Sequence, residues 1–200
     1  LIFETDSELS LALVVLLPWL NLIMNSDFKR LNLGAGQTYL PDFVNIDSSQ
    51  IADLNLDLGS DSLPFQTGSV DLIFSYHTLE HVPDYLFALS EIHRVLKHGA
   101  VFYLGLPYAT STQFNLVNPY HLHNFNEFSF DFFDMGKLEG SAAEHNTIHF
   151  RKVFHRFNYM GKFNRLPYGL RNWCRNHLFN VVDRIDFDLI AMREEQYDQP

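Results

Sequence analysis

Gly34-Ala35-Gly36 directly follows the apolar segment Lys29–Leu33, and an acid, Asp47, ends the next such segment, Phe43–Ile46. Glycines at such a turn let the chain reverse tightly and leave no Cβ between backbone and ligand. A carboxylate at the tip of the neighbouring segment can accept hydrogen bonds from both hydroxyls of a ribose. The chemistry this spacing suits is nucleoside binding, although G-x-G alone is an ordinary glycine turn and a lone acid is often a cap. A dinucleotide site wants a third glycine and a helix N-terminus aimed at the pyrophosphate. Here Tyr39 occupies the third position and Pro41 interrupts a stretch too short for a full helix. Asp47 also arrives 13 residues after Gly34, where the dinucleotide acid comes about 20 residues on. A nucleoside cofactor without phosphates, such as S-adenosylmethionine, loses nothing from this arrangement, and NAD is disfavoured.

Histidines are the second chemical resource. His77, His81, His121 and His123 are candidate bases, because imidazole as a side-chain type titrates near neutrality. For each the plainer alternative is a packing or capping role. His121 and His123 alternate, so in an extended segment they share a face and form an acceptor-side pair. His77-Thr78-Leu79-Glu80-His81 also fits H-x-x-E-H, an inverted zinc-protease signature. Such a site needs both histidines on one helix, a third protein ligand and an open coordination position. The motif begins directly after an apolar run and Pro83 follows two residues beyond it, so only one helical turn fits. A zinc hydrolase built on His77, Glu80 and His81 therefore stands as a rival reading, and no metal is assigned.

These residues need elements to hold them. Short segments at Lys29–Leu33, Phe43–Ile46, Val70–Tyr76, Val101–Leu106 and Ile185–Ala191, and the polar–apolar alternation of Asp53–Leu58, predict strands. Pro83 and Asp84 open a helix whose Leu86, Leu89, Ile92 and Leu96 line one face, with Gly99 as the stop. Strands alternating with helical stretches imply an α/β fold with a doubly wound, mostly parallel sheet. In such sheets ligands bind beyond the carboxyl ends of the strands, where Gly34, Asp47, Asp57 and Tyr76 all fall.

Four pieces in order and with compatible spacing, RLNLGAG (30–36), FVNIDSS (43–49), DLGSDSLPFQTGSVDLIFSYHTLEHV (57–82) and EIHRVLKHGAVFYLGLP (91–107), resemble a class I S-adenosylmethionine-dependent methyltransferase of the type-11 kind. The likeness covers residues 30–108; Asn118-Pro119-Tyr120-His121, followed by Phe125 and Phe128, is similar to that family's post-core segment. The resemblance implies a seven-stranded Rossmann-like sheet and S-adenosylmethionine as cofactor. It also implies that Gly34, Ala35 and Gly36 pass under the methionine moiety, Asp47 holds the ribose, and Asp57 and Leu58 meet the adenine. Ser75, Tyr76 and His77 would border the sulfonium. The first loop is shorter than in most members of that class, which leaves the placement of Gln37 and Thr38 open.

Composition narrows the partners. A net charge of −10 argues against general affinity for nucleic acid or anionic membranes. The single cysteine, Cys174, excludes an internal disulfide and a cysteine-only metal cage. Residues 1–100 carry 4 basic and 13 acidic side chains, residues 101–200 carry 10 and 11, and ten of the 19 phenylalanines fall between Phe114 and Phe163. The expected organisation is an N-terminal apolar helix over 1–28, a cofactor-binding core over 29–108, and an acceptor-side, aromatic-rich helical extension over 109–200. Leu9–Met24 is too short to span a bilayer and contains Pro18 and Asn21; a buried or partner-facing helix is favoured over peripheral membrane contact. No targeting signal is readable, so a cytoplasmic location is the default. Arg151–Arg175 holds seven basic residues and no acidic one, which suits either a solvated helical face or contact with a phosphate-bearing acceptor. The reading is methyl transfer to an oxygen or nitrogen of a small molecule, with His81, His121 and His123 as candidate bases. An inactive methyltransferase-like partner module is the alternative from another class.

Overall fold

The computed structural model describes residues 28–49, 51–137 and 146–193. The Leu9–Met24 segment lies outside them. Seven strands, β1 (Arg30–Leu33), β2 (Val44–Asp47), β3 (Leu54–Asn55), β4 (Val70–Tyr76), β5 (Leu96–Pro107), β6 (Phe150–Tyr159) and β7 (Val182–Ala191), form one sheet in the order β3-β2-β1-β4-β5-β7-β6. Strands β1 to β5 pair in parallel, and β7 runs antiparallel to both β5 and β6. The mostly parallel sheet read from the sequence is thus present, with one reversed strand. Its centre explains the apolar runs. Leu31, Leu33, Ile73, Phe102, Leu104, Phe187 and Leu189 are fully buried, each burial contributing about 1.5–3 kcal/mol. No helix among the described residues is long and apolar enough to cross a membrane.

The connection from β1 to β2 contains no helix, as its length and Pro41 lead one to expect. A buried amide network holds it instead. Asn45 Oδ1 accepts from Asn32 Nδ2 (2.8 Å) and from the Leu40 N–H (2.9 Å). Asn45 Nδ2 donates to the carbonyls of Leu40 and Phe43 and to Asp53 Oδ2, each at 3.0 Å. With every polar atom of Asn45 partnered, its burial is tolerated.

Helix α1 (Tyr85–Val95) starts where Asp84 Oδ1 accepts from the Phe87 N–H at 2.9 Å, a side-chain cap on an otherwise orphaned donor. Leu89 and Ile92 are buried as expected, but Leu86 is 49% exposed and lies off the core face. The helix ends at Val95 rather than at Gly99. Leu96 is already extended and opens β5, and Gly99 takes φ +77° inside that strand. Donors from elsewhere in the chain meet this end: the Gly68 and Ser69 N–H groups donate to the carbonyls of Arg94 and Val95, each at 2.9 Å. Arg193 Nη2 donates to the carbonyls of His93 (2.8 Å), Arg94 (2.9 Å) and Leu96 (2.5 Å), satisfying the helix end that a glycine cap would otherwise serve.

The basic stretch, for which a solvated helical face is one of two expectations, is not one helix. Its first part is β6, at the sheet edge, and its last part is helix α2 (Tyr168–His177), whose one buried residue is Cys174. Between residues 109 and 149 the described chain holds turns, a single 3-10 helix, Asp131–Phe133, and an isolated parallel bridge from Phe125 to Tyr108, so this part of the extension is less helical than expected.

Candidate functional site

Gly34 and Gly36 adopt φ +67° and +50°, the left-handed region that the turn after β1 requires. The N–H groups of Gly34 and Ala35 both donate to the Ile46 carbonyl (2.8 and 3.1 Å), which fastens this turn to the end of β2. One residue on, Asp47 Oδ2 accepts from the Gly36 N–H at 2.9 Å and Oδ1 from the Ser49 N–H at 2.8 Å. Burial pushes the Asp47 carboxyl up, but the backbone donors of Gly36 and Ser49 outweigh it and hold the group below the ordinary carboxylate range. Each Asp47 oxygen keeps acceptor capacity for a further donor such as a ribose hydroxyl. Gln37 and Thr38 complete the turn: the Thr38 N–H donates to the Ala35 carbonyl (2.7 Å), and the Thr38 carbonyl accepts from Asn32 Nδ2 (2.9 Å).

Asp57 and Leu58 follow β3. Asp57 is exposed, with Oδ1 accepting from the Gly59 N–H at 2.9 Å. Leu58 is buried in the main core, so only its backbone is left to border a ligand there.

Strand β4 delivers the second loop. Ser75 is buried, and the Tyr76 ring lies against Gly105, where a Cβ would stand 2.7 Å from Tyr76 Cδ2. The Tyr76 hydroxyl accepts from Arg184, whose guanidinium also sits 5.0 Å from the ring centroid. His77 turns the chain out of the strand at φ +53°, with its N–H donating to the Gly105 carbonyl (2.9 Å). Thr78 then folds back over the first loop, and Thr78 Oγ1 donates to the Leu33 carbonyl at 3.1 Å. A Cβ on Gly34 would come within 2.1 Å of that oxygen, so the absence of a side chain at Gly34 is what lets the two loops interlock. A 3-10 helix, Leu79–His81, follows and buries Glu80 completely.

The extension supplies the remaining histidines, and here the geometry corrects the expected pairing. The Glu80 carbonyl accepts from the N–H groups of Leu122 (2.7 Å) and His123 (3.3 Å), stitching this segment to the 3-10 helix. His121 and His123 then part company. The His121 ring meets His81, with centroids 4.6 Å apart. His123 instead packs on Tyr85 at 4.7 Å and donates from Nε2 to the Val82 carbonyl (2.8 Å). The H-x-x-E-H rival also fails in the form expected, because His77 stands outside any helix and the helical turn is only three residues long.

Sequence reasoning missed Asn32, Asn45 and Thr78 as supports of the cofactor loop, and Arg184 as the partner of Tyr76. Asparagine inside otherwise apolar strand segments was the available signal for the first two. For Thr78 and Arg184 there was none, since their roles depend on contacts between distant segments.

Residues 41–104 match the sequence family described as "Methyltransferase domain". No curated protein matches the chain. Among solved structures, an S-adenosylmethionine-dependent methyltransferase from Archaeoglobus fulgidus is similar at 14% identity and a TM-score of 0.60, over 94% of this chain and 96% of that one. The complex between the Haloferax volcanii Trm112 methyltransferase activator and a methyltransferase is similar at 16% identity and 0.56, over 84% of each chain. The [4+2]-cyclase SpnF is similar at 12% identity and 0.55, over 85% of this chain and 76% of that one. At these identities the likeness is one of fold: the chain has the class I methyltransferase fold, as the sequence resemblance implies. The domain match supports S-adenosylmethionine as the cofactor. Because the same fold also carries a cyclase, the reaction has to be argued from the site.

Proposed function

We propose that this protein transfers a methyl group from S-adenosylmethionine to a small-molecule acceptor, releasing S-adenosylhomocysteine. One observation carries the reading. At the carboxyl ends of adjacent parallel strands, two glycines with positive φ bring bare backbone beside a carboxylate that is held ionised and oriented by the Gly36 and Ser49 N–H groups. That is a preformed receptor for a ribose on a nucleoside without phosphates. Gly34, Ala35 and Gly36 would border the methionine moiety, Asp57 and the Leu58 backbone the adenine, and Ser75, Tyr76 and His77 the sulfonium.

The cofactor supplies its own electrophile when bound, a methyl group on a sulfonium. The work left to the chain is to hold an acceptor in line and to take up a proton when the acceptor is a hydroxyl. His81 and His121 suit the second task better than His123. Nδ1 of His81 faces the Tyr120 carbonyl and Nδ1 of His121 the Asn115 carbonyl, which leaves both Nε2 atoms as acceptors. His123 has its Nε2 committed to a carbonyl.

Calorimetric titration with S-adenosylmethionine, S-adenosylhomocysteine and NAD tests the reading. One-to-one micromolar binding of the first two and none of NAD is expected. Failure of all three to bind favours the inactive partner module, a reading to which the strongly exposed Leu116, Val117 and Tyr120 lend weight.

A further inference from the structure

Among the described residues no hydrogen bond reaches either carboxylate oxygen of Glu80, although it is completely buried. Its Oε1 lies 3.2 Å from His77 Nδ1, without hydrogen-bond geometry. That contact is an ion pair only while the half-exposed His77 is protonated; a buried carboxylate without hydrogen bonds is costly, and such a group in a folded chain calls for a further partner. Two imidazoles stand ready beside it. One ligand atom each from Glu80, His81 and His121 lies within 4.8 Å of the other two.

The surroundings of the two rings point the same way. His81 Nδ1 is 3.1 Å from the Tyr120 carbonyl and His121 Nδ1 is 2.9 Å from the Asn115 carbonyl. A carbonyl only accepts, so each Nδ1 carries the proton and each Nε2 presents a lone pair. Donation of the second ring N–H to a backbone carbonyl is how metal-ligating histidines are held in tautomer and orientation. The carbonyl of Glu80 itself anchors Leu122 and His123, which brings His121 to the other two ligands.

We propose that Glu80, His81 and His121 bind a divalent transition-metal cation. Two imidazoles and one carboxylate suit zinc and its first-row neighbours and leave coordination positions open. Bonds of about 2.0–2.2 Å place ligand atoms roughly 3–4 Å apart, so atoms now within 4.8 Å of one another need to close by up to about 1–2 Å. This differs from the zinc-protease pattern in the sequence: His77 is replaced as a ligand by His121, and no hydrolysis is implied. It also replaces the expectation that the site holds no metal and, with the cation bound, the role of His81 and His121 as bases, because their Nε2 lone pairs are then committed to it. Glu80 lies two residues beyond Thr78, which interlocks with the cofactor loop, and under the methyl-transfer reading the open positions would face the acceptor. There they would take an oxygen donor of the acceptor rather than an amine, whose lone pair coordination would consume; this last step rests on the methyl-transfer reading.

The test is calorimetric titration of chelator-stripped full-length protein with zinc chloride, run in parallel with a separate S-adenosylhomocysteine titration. Wild-type protein is expected to bind one zinc with a dissociation constant below ~10 μM. Glu80→Gln and His121→Asn should each weaken it at least about tenfold while leaving the melting temperature and S-adenosylhomocysteine affinity close to wild type. The chain has 10 histidines, so zinc binding that both variants retain marks adventitious sites and overturns the proposal, as does the absence of one-to-one binding in the wild type. His121→Asn alone decides the matter if Glu80→Gln does not fold, because His121 is only partly buried. Zinc binding without S-adenosylhomocysteine binding would sink the methyl-transfer reading and spare the metal site; the reverse result would do the opposite.

Discussion

Asp47 is committed before any ligand arrives. Its two hydrogen bonds from the Gly36 and Ser49 backbones fix the carboxylate, so its remaining lone pairs are aimed without further ordering. Asp47→Ala should therefore weaken S-adenosylhomocysteine binding by about 1.5–3 kcal/mol, roughly 10- to 150-fold, in the same titration. His93 makes a different kind of prediction. It is buried, and its Nε2 donates to the Met192 carbonyl at 2.9 Å. Burial pushes its imidazole below the ordinary 6.5, an effect that the bond to Met192 only partly offsets. The unfolded chain therefore binds a proton at His93 more readily than the folded one. Stability from this residue is intact above about pH 6.5 and declines as the pH falls toward the lowered folded value. Urea denaturation at pH 7 and pH 5 should show a smaller loss in His93→Phe than in wild type, whatever the variant's absolute stability; an equal loss would reject the assignment.

Elements that owe their limits to local chemistry were readable, and those limited by distant residues were not. Strand β4 is the segment Val70–Tyr76 that its apolar run indicates, and Asp84 caps α1 where Pro83-Asp84 announces a helix start. The end of α1 is not legible because Gly99 is a plausible stop, whereas the donors that meet the helix end come from Gly68, Ser69 and, beyond β7, Arg193. Replacing Arg193 by Ala leaves three carbonyls without that donor. A loss of about 1–3 kcal/mol in denaturant unfolding is expected, with Gly99→Ala not reproducing it through the helix end. Strand β6 escaped notice for an equally physical reason. Basic side chains on an edge strand discourage pairing with another chain, yet in a sequence they look like a solvated helical face. The cofactor loop was legible because glycine and aspartate carry their roles in their types. The meeting of Glu80, His81 and His121 was not, since it depends on how residues 115–123 dock against the turn after β4.

Across the whole molecule, the extension is held to the sheet by a half-buried polar cluster. The Tyr108 hydroxyl, next to the end of β5, donates to Glu127 Oε2 at 2.7 Å, and Arg175 from α2 pairs with Glu127 while lying 4.3 Å from the Phe157 ring centroid. Burial, reinforced by the bond to Glu127, pushes the Tyr108 phenol up to about 12. Arg175→Met keeps much of the packing but strands a shielded carboxylate. It should cost about 2–4 kcal/mol, and the double variant with Glu127→Gln should recover part of that loss in thermal unfolding. The interlock of Thr78 with Gly34 reaches further still. The loop that would receive the cofactor and the turn that would present the acceptor's ligands are in effect one mechanical part, hinged on a contact with no slack. An engineer who reshapes the turn to accept a different substrate should expect the first symptom in nucleoside affinity, long before any change in substrate preference becomes measurable.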